Sequence, residues 1–320
     1  MELNQQDKLE SFLHNIKRYK FIAHRLGFLM GGYPENSFAN LTSIFNNQSL
    51  LNLISGIELD IQFTADHIPV VIHDASTADI SETARVIKET NLNELKDIKC
   101  GYRRSDYNSD IPWGENNNYN LHTLDSLLAF FMRYRSKVAN RVIKIETKSS
   151  LLRKEDIIAL RNLLRKYNEL NENIIHISFF PWNLKKLREL ESDKDQELTR
   201  TELLVDYSIQ RPLNKFWNSA IDGISLGIKN ENAQGNMEIS KKAKHASDLN
   251  AFFCKRRNAV GEAWLRAIIY KYGYAGIYTI NDLKNIEELM MRVSGEFLDE
   301  NADKLMITSD NPEYLMRLKT

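Results

Sequence analysis

The sequence has few of the residues that stabilise small secreted proteins. Its two cysteines, Cys100 and Cys254, are far apart and match no disulfide, zinc or redox spacing. Only 6 prolines and 13 glycines occur in 320 residues, and no internal repeat, linker or low-complexity segment divides the chain. These absences exclude a disulfide-rich scaffold, and they favour one domain in a reducing compartment.

The sequence also has no excess of charge and no long apolar run. Basic and acidic residues number 43 each, so no net charge attracts nucleic acid or an anionic membrane. No stretch of about 18 apolar residues is available for a transmembrane helix, and residues 1–20 lack the apolar centre of a signal peptide. We therefore expect a cytoplasmic protein that binds no nucleic acid, with a processed form that has lost its leader as the alternative. The oligomeric state stays unknown.

The pattern of apolar residues predicts an α/β fold. Hydrophobic residues make up 42% of the chain, which is enough for a large core. Their helical spacing predicts a surface helix within residues 1–20. From residue 21 onwards short strands alternate with helices, and polar residues follow the C-terminal ends of the strands. This arrangement predicts a TIM (β/α)8 barrel over residues 21–320.

Two features complicate a simple repeat of eight units. More than eight segments qualify as strands, so residues 69–72 can be an arm of a hairpin and residues 252–255 part of a loop. Residues 75–120, after the third strand segment, are polar and turn-rich apart from a weak helical pattern at residues 81–89, and we interpret them as an insertion. Four of its side chains could line an entrance or equally be solvated: Tyr102, Arg103, Arg104 and Trp113.

Residues 57–74, IELDIQFTADHIPVVIHD, are the most informative stretch. Alternate side chains of a strand share a face, so Glu58 and Asp60 point the same way. Two carboxylates this close resist joint ionisation when they are buried, and a bound cation removes that cost. The turn and the apolar segment that follow bring His73 to the same end of the structure.

Other strand ends add polar groups of the same kinds. His24 and Arg25 follow the first barrel strand, and Glu146 and Lys148 share one face of the strand at residues 141–148. Each of them taken singly is more often a satisfied or solvated residue than a functional one. Three carboxylates, two imidazoles and two cationic side chains at one end of a barrel, however, would destabilise the fold unless they bound a ligand.

The chemistry of this set indicates metal-assisted cleavage of a phosphodiester. Carboxylate oxygens suit Mg²⁺ or Ca²⁺, and guanidinium and ammonium groups beside such a cation match phosphate oxygens. Two histidines, whose pKa values lie near the working pH, can divide the tasks of general base and general acid.

Five segments carry a resemblance to a known family: HRLG, PENS, residues 57–74, LHTLDSLLAF and IKIETK. In order and internal spacing they resemble the glycerophosphodiester phosphodiesterase family. Weaker likeness continues through YTIND and LMITSDNPEYL towards the C-terminus. Three positions depart from the family pattern. Leu26 stands where glycine follows His-Arg, Asp125 where glutamate is frequent, and Tyr278 where tryptophan is frequent.

The resemblance implies a barrel enzyme that hydrolyses glycerophosphodiesters to glycerol phosphate and an alcohol. In the family's proposed mechanism a glycerol hydroxyl attacks phosphorus, one histidine removes its proton, the other protonates the departing alcohol, and water opens a cyclic phosphate. The implied site residues have four roles. They are Glu58, Asp60 and Glu146 as metal ligands, His24 and His73 as catalytic residues, Arg25 and Lys148 as phosphate-binding residues, and Glu35 as a residue that orients Arg25 or a histidine.

Two alternatives stay open at this point. A related enzyme on the same scaffold could act as a phospholipase D or sphingomyelinase D, or as a phosphatidylinositol-type lyase that stops at the cyclic phosphate. A non-catalytic barrel could instead bind a phosphorylated ligand. The sequence does not distinguish a small glycerophosphodiester from a phosphodiester-linked polymer as the substrate.

Overall fold

The computed structural model describes residues 5–30, 32–102, 119–191, 199–205, 221–228 and 260–318. In chain order its strands are β1 (Lys20–Ala23), β2 (Gly56–Phe63), β3 (Pro69–Val71), β4 (Lys99–Cys100), β5 (Tyr119–Asn120), β6 (His122–Thr123), β7 (Val142–Thr147), β8 (Ile174–Ser178), β9 (Arg200–Val205), β10 (Gly223–Gly227), β11 (Ala275–Tyr278) and β12 (Leu305–Ser309). Eight of them, β1, β2 and β7 to β12, pair in parallel, and β1 closes the ring by pairing with both β12 and β2. The predicted (β/α)8 barrel is therefore confirmed.

Helices surround the barrel wherever the chain between strands is described. They are α1 (Gln5–His14), α2 (Phe38–Asn46), α3 (Gln48–Leu53), α4 (Leu92–Leu95), α5 (Leu124–Arg133), α6 (Arg135–Val138), α7 (Lys154–Lys166), α8 (Pro181–Glu191), α9 (Glu262–Tyr272), α10 (Leu283–Met290), α11 (Gly295–Asn301) and α12 (Pro312–Arg317). Side-chain caps start several of them, because Ser37, Thr123 and Asp282 each accept a hydrogen bond from a backbone N–H of the first turn.

Some of the sequence predictions lie outside the described residues. They concern the possible strand at residues 252–255 and the side chains of Arg103, Arg104 and Trp113. Among the described residues, no helix combines the length and the apolar character needed to cross a lipid bilayer.

Strand β2 shows how the barrel separates its apolar and polar faces. All eight of its residues are buried. Ile57, Leu59 and Ile61 pack into the core between the barrel and its helices, while Glu58 and Asp60 lie on the opposite face. Strand β2 can bury charged side chains because its other face supplies the hydrophobic stabilisation.

Strand β3 accounts for one of the strand candidates beyond the eight that form the barrel. It pairs antiparallel with β2, placing Val71 opposite Ile61, and antiparallel with β6. The segment is therefore the arm of a hairpin beside the barrel and not a ninth barrel strand. This arm ends immediately before His73.

The inserted segment that follows packs with the hairpin arm around a small core that is separate from the barrel core. Its buried members are Val70, Ile72, Ile87, Leu95, Ile98 and Cys100. The weak helical pattern at residues 81–89 forms no α-helix, and only a short 3-10 turn is present at Ile87–Glu89. Thr77 explains the difference: its hydroxyl donates to the Thr83 carbonyl at 2.6 Å and accepts from the Arg85 N–H at 2.9 Å. These bonds replace those that a helix would make.

Helix α1 packs against the barrel's last helices through its apolar and its polar residues. Phe12 and the following Ile16 are fully buried. The Ser11 hydroxyl donates to Asp299 Oδ1 on α11 at 2.8 Å, and the Asn15 amide donates to the same oxygen. The N-terminal helix thus shares the core that it covers.

Candidate active site

Two neighbouring barrel strands bring three carboxylates together. Asp60 on β2 is directly opposite Glu146 on β7 in the parallel register. Glu58 lies two residues before Asp60 and therefore on the same face. One oxygen from each of the three lies within 4.8 Å of the other two, and the residues are 1%, 0% and 4% exposed. Buried carboxylates at such separations require compensating positive charge.

One oxygen of each carboxylate is buried and poorly satisfied: Glu58 Oε1 has no hydrogen-bond partner among the described residues, and Asp60 Oδ1 and Glu146 Oε1 share the single ammonium group of Lys148. Such oxygens are costly to bury unless a cation or a donor reaches them. Three converging carboxylate oxygens match the preference of hard divalent cations for oxygen ligands. The cluster therefore fits a divalent cation.

Lys148 supplies part of the positive charge. Its Nζ lies 3.0 Å from Asp60 Oδ1 and 2.7 Å from Glu146 Oε1. Burial would lower the pKa of Lys148, but the three carboxylates outweigh it and the pKa is raised. Burial and the charge of Asp60 together raise the pKa of Glu58 above its usual range. One ammonium group therefore does not neutralise the cluster.

The turn after β1 aims backbone and side-chain donors at the same carboxylates. Arg25, Leu26 and Gly27 have φ angles of 48°, 60° and 80°, so Leu26 adopts the left-handed conformation for which glycine, the family's residue, is favoured. The Arg25 N–H donates to Glu58 Oε2 at 2.9 Å. Its guanidinium binds Glu35 and lies 3.8 Å from Asp60 Oδ2. Of the two partners that the sequence analysis considered for Glu35, the structure thus shows a contact with Arg25, and the orienting role stays a prediction.

Asn36 is a contributor that the sequence reasoning missed. Its amide donates to Asp60 Oδ2 at 2.8 Å, and its Oδ1 accepts the Asp60 N–H at 3.2 Å. Asn36 follows Glu35 within the PENS segment, so the motif contained the signal. Its role was not deducible because the partner lies 24 residues further along the chain.

His24 is held in place from the far end of the chain. Its Nδ1 lies 2.6 Å from Asp310 Oδ1, and its Nε2 lies 3.8 Å from Glu58 Oε2. Asp310 itself is fixed by Asn281, whose Nδ2 donates to Asp310 Oδ2 and whose Oδ1 accepts the Asp310 N–H at 2.8 Å. Burial alone would lower the pKa of His24, yet the charge and hydrogen bond of Asp310 raise it.

His73 follows the hairpin arm at the same end of the barrel. Its Nδ1 lies 2.7 Å from Asp74 Oδ1, and its carbonyl accepts a hydrogen bond from Gln62 Nε2 at 3.1 Å. Gln62 stands on the same face of β2 as Glu58 and Asp60, so it ties the histidine's backbone to the carboxylate strand. Both candidate catalytic histidines thus have an aspartate at Nδ1.

The other two departures from the family pattern lie outside the carboxylate and histidine cluster. Asp125, in the first turn of α5, accepts hydrogen bonds from Lys166 Nζ at 2.6 Å and the Tyr167 hydroxyl at 2.7 Å. It therefore joins α5 to α7. Tyr278, at the end of β11, packs edge-on against Phe179 at 6.0 Å between ring centroids.

The fold and this cluster define a class: a closed parallel barrel with a candidate divalent-metal centre and two aspartate-backed histidines at the C-terminal ends of its strands. The model of the Glycerophosphoryl diester phosphodiesterase family matches residues 33–245, more than half of the chain. The chain belongs to this family, which confirms the resemblance noted in the sequence.

Relatives and solved structures agree with that membership. Glycerophosphodiester phosphodiesterase 1 from Bos taurus is 26% identical over 176 residues, which cover 55% of this chain and 47% of that protein. The chain thus spans about half the length of the curated relatives it matches.

Two solved structures share the fold over nearly the full length of both chains. A glycerophosphoryl diester phosphodiesterase structure from Silicibacter pomeroyi has a TM-score of 0.63 at 16% identity, with 97% of each chain covered. An Oleispira antarctica phosphodiesterase, solved in complex with the product sn-glycerol-3-phosphate, has a TM-score of 0.60 at 18% identity and covers 94% of this chain and 96% of its own.

Proposed function

We propose that the protein hydrolyses glycerophosphodiesters to glycerol phosphate and an alcohol with the help of a divalent cation. The observation that carries this proposal is the cluster of three buried carboxylates, which one ammonium group does not neutralise, beside two cationic side chains and two aspartate-backed histidines. Family membership supports the reaction class.

Glu58, Asp60 and Glu146 would hold the cation. Bound there, a divalent cation neutralises the carboxylates and polarises a phosphoryl oxygen. All three ligands offer carboxylate oxygens, so both Mg²⁺ and Ca²⁺ suit the site. Arg25 and Lys148 would bind the remaining phosphate oxygens and stabilise the charge that develops on them.

The two histidines would carry the protons. Because Asp310 occupies Nδ1 of His24, its Nε2 is the nitrogen left to take the proton from the attacking glycerol hydroxyl. His73, held at Nδ1 by Asp74, would give a proton to the departing alcohol. The resulting cyclic phosphate would then be opened by water, with the two histidines exchanging roles.

A ³¹P-monitored screen of sn-glycerol-3-phosphodiesters, run with Mg²⁺ and with Ca²⁺, tests this function. We expect glycerol phosphate as the phosphorus product, loss of turnover in chelator, and a fall of roughly 10²-fold or more in kcat for both His24→Ala and His73→Ala. His14→Ala is the matched control, since this exposed histidine lies on α1.

Three other outcomes would replace the proposal with a rival. An accumulating cyclic phosphate would indicate a lyase, and preference for lysophospholipids would indicate a phospholipase D. Turnover that survives either histidine substitution, or that survives chelation, would contradict the proposed catalytic residues or the metal.

A further inference from the structure

The side chain of Gln62 bridges the chain segments that follow the two neighbours of β2. Strand β2 lies between β7 and the hairpin arm β3 in the sheet. On one side Gln62 Nε2 donates to the His73 carbonyl at 3.1 Å, and on the other side the Ser149 hydroxyl donates to Gln62 Oε1 at 3.2 Å. Because Ser149 directly follows Lys148, one amide group connects two parts of the proposed active site.

The partners of Gln62 determine which way its amide points. A backbone carbonyl only accepts hydrogen bonds, so the NH2 group faces His73 and the amide oxygen faces the Ser149 hydroxyl, which can donate. Gln62 is 7% exposed, so little water reaches these two bonds to compete for them. The side chain is therefore held in one orientation.

Ser149 is in turn fixed to helix α8. Asn183 Nδ2 donates to the Ser149 carbonyl at 2.8 Å, and Asn183 Oδ1 accepts the Leu152 N–H at 3.2 Å. Asn183 is fully buried in the first turn of α8, and Leu152 is 2% exposed. The loop after Lys148 is thus attached to α8 at two points, and Ser149 and Gln62 connect the His73 carbonyl to it.

The donor to the His73 carbonyl is a side chain, whereas the residue before it is held by the backbone. The Ile72 N–H donates to the Asp60 carbonyl at 3.0 Å and so extends the backbone bonds between β2 and the hairpin arm. At His73 the side chain of Gln62 takes over that role. A substitution at Gln62 therefore releases the His73 carbonyl while the backbone bonds between β2 and the arm remain.

We propose that Gln62 is a positioning residue that fixes the backbone of His73, and hence its imidazole, relative to Lys148, and that Ser149 holds Gln62 in the orientation this requires. The inference rests on the proposed function, in which His73 protonates the departing alcohol and Lys148 binds an oxygen of the same phosphate. Two groups that act on one phosphorus atom must keep a fixed separation, and a displacement of about 1 Å can lower the rate by roughly 10²-fold.

Two diesters of sn-glycerol-3-phosphate distinguish the positioning of His73 from a general structural role. Departing ethanol needs a proton, whereas p-nitrophenol is acidic enough to depart without one. Gln62→Leu keeps a side chain of similar size but makes no hydrogen bond. We expect its kcat to fall by about 10²-fold for the ethyl diester, with little change in KM, and by less than about 3-fold for the p-nitrophenyl diester. Gln48→Leu, at an exposed position on α3, should leave both unchanged.

Ser149→Ala tests the second hydrogen bond of the bridge at a half-buried position, where folding is less at risk. We expect kcat for the ethyl diester to fall by about 3- to 10-fold, as for the loss of one hydrogen bond, and Ser149→Thr, which keeps the hydroxyl, should recover it. The double variant should be no slower than Gln62→Leu alone, because both residues act through one contact with His73. Additive losses would overturn the role given to Ser149.

His73→Ala separates a failure of this inference from a failure of the proposed function. If His73→Ala slows the ethyl diester far more than the p-nitrophenyl diester, while Gln62→Leu slows both equally or neither, Gln62 does not position His73 and the proposed function stands. Equal losses of His73→Ala with both diesters would instead remove His73 as the general acid. A wild-type protein that hydrolyses neither diester would overturn the proposed function, and this inference with it.

Discussion

Asp310 acts on His24 across 286 residues of chain, from the end of β12. Both of its carboxylate oxygens are engaged, one by His24 Nδ1 and the other by the Asn281 amide. Despite burial, His24 and Arg25 keep the pKa of Asp310 below its usual range, so it stays ionised at neutral pH. At the scale of single residues, the orientation of the proposed base therefore depends on a residue that touches no substrate.

Asp310→Asn tests this positioning role. The amide oxygen can keep the hydrogen bond from Asn281, which leaves the amide NH2 facing His24 Nδ1. The NH2 group donates where the carboxylate accepted, so the His24 ring must move its proton to Nε2. We expect kcat to fall by roughly 10²- to 10⁴-fold with little change in KM, and ¹⁵N NMR to report a changed tautomer of His24.

Asp303→Asn is the control for that substitution, since Asp303 makes an exposed ion pair with Arg18. Equal kinetics for the two variants, or a loss confined to KM, would contradict the role given to Asp310.

Glu58→Gln tests the proposed metal ligands. The amide removes one negative charge from the cluster, and we expect the dissociation constant for Mg²⁺ or Ca²⁺ to rise by about 10-fold or more. Calorimetric titration of metal-free protein measures it directly. Asp125→Asn, on α5 and away from the cluster, should bind metal like the wild type, and unchanged affinity in Glu58→Gln would remove this residue from the site.

At the scale of elements, a second charged cluster ties the barrel strands together. Lys144 on β7 donates to both oxygens of Glu202 on β9 at 2.7 and 3.0 Å, across the intervening β8. Ser225 on β10 and the Tyr274 hydroxyl also donate to Glu202. Lys144 and Glu202 are 1% and 0% exposed, so water cannot replace either partner of this ion pair.

Replacing one member of the Lys144–Glu202 pair should lower the free energy of unfolding more than replacing both members. Lys144→Met leaves a buried carboxylate without its cation, and we expect the free energy of unfolding to fall by about 3–5 kcal/mol. The double variant Lys144→Met with Glu202→Leu should recover part of that loss because no unpaired charge remains. Urea denaturation of the three proteins measures both effects, and additive losses would show that the pair is not coupled.

The sequence predicts the barrel strands more clearly than it predicts the hairpin arm beside them. The alternation along β2 and β7 marks these strands clearly, because one face of each is apolar and the other charged. The sequence offered a hairpin arm at residues 69–72 but did not decide between it and a barrel strand, because an apolar run of this length is also typical of a buried parallel strand. Nor did it exclude a helix at residues 81–89, where the hydrogen bonds of Thr77 determine the local structure.

The grouping of the carboxylates was predictable from the sequence, while their roles as metal ligands stay a prediction. Glu58 and Asp60 share the polar face of one strand and Glu146 lies on the polar face of another, so the alternation of the sequence is enough to group the three. Asn36 and Asp310 also lie in recognisable motifs, but their roles depend on partners that only the closed barrel brings near.

At the scale of the whole molecule, the buried His176 makes the free energy of unfolding depend on pH. It lies 1% exposed on β8, facing Arg188 of α8, and neither ring nitrogen has a hydrogen-bond partner among the described residues. Burial, assisted by Arg188, lowers its pKa to about 4. Between that value and the unfolded pKa of about 6.5 the unfolded chain binds a proton that the folded protein does not.

Stability should therefore decrease as the pH falls from about 6.5 towards 4, with His176 contributing up to about 3 kcal/mol of that loss. His176→Leu removes the titrating group and should show a correspondingly shallower pH dependence. Denaturant unfolding of both proteins across this range isolates the difference, and parallel curves would contradict the role of His176.

The hairpin arm that carries His73 has a consequence for how this enzyme family diversifies. Glu58, Asp60 and Glu146 lie on strands that the barrel needs in order to close, and His24 directly follows another, so substitutions near them endanger folding. His73 instead follows an arm that lies beside the barrel, and Val70 and Ile72 of that arm pack in a small separate core with the described part of the inserted segment. Sequence changes in that segment can therefore accumulate between relatives without opening the barrel.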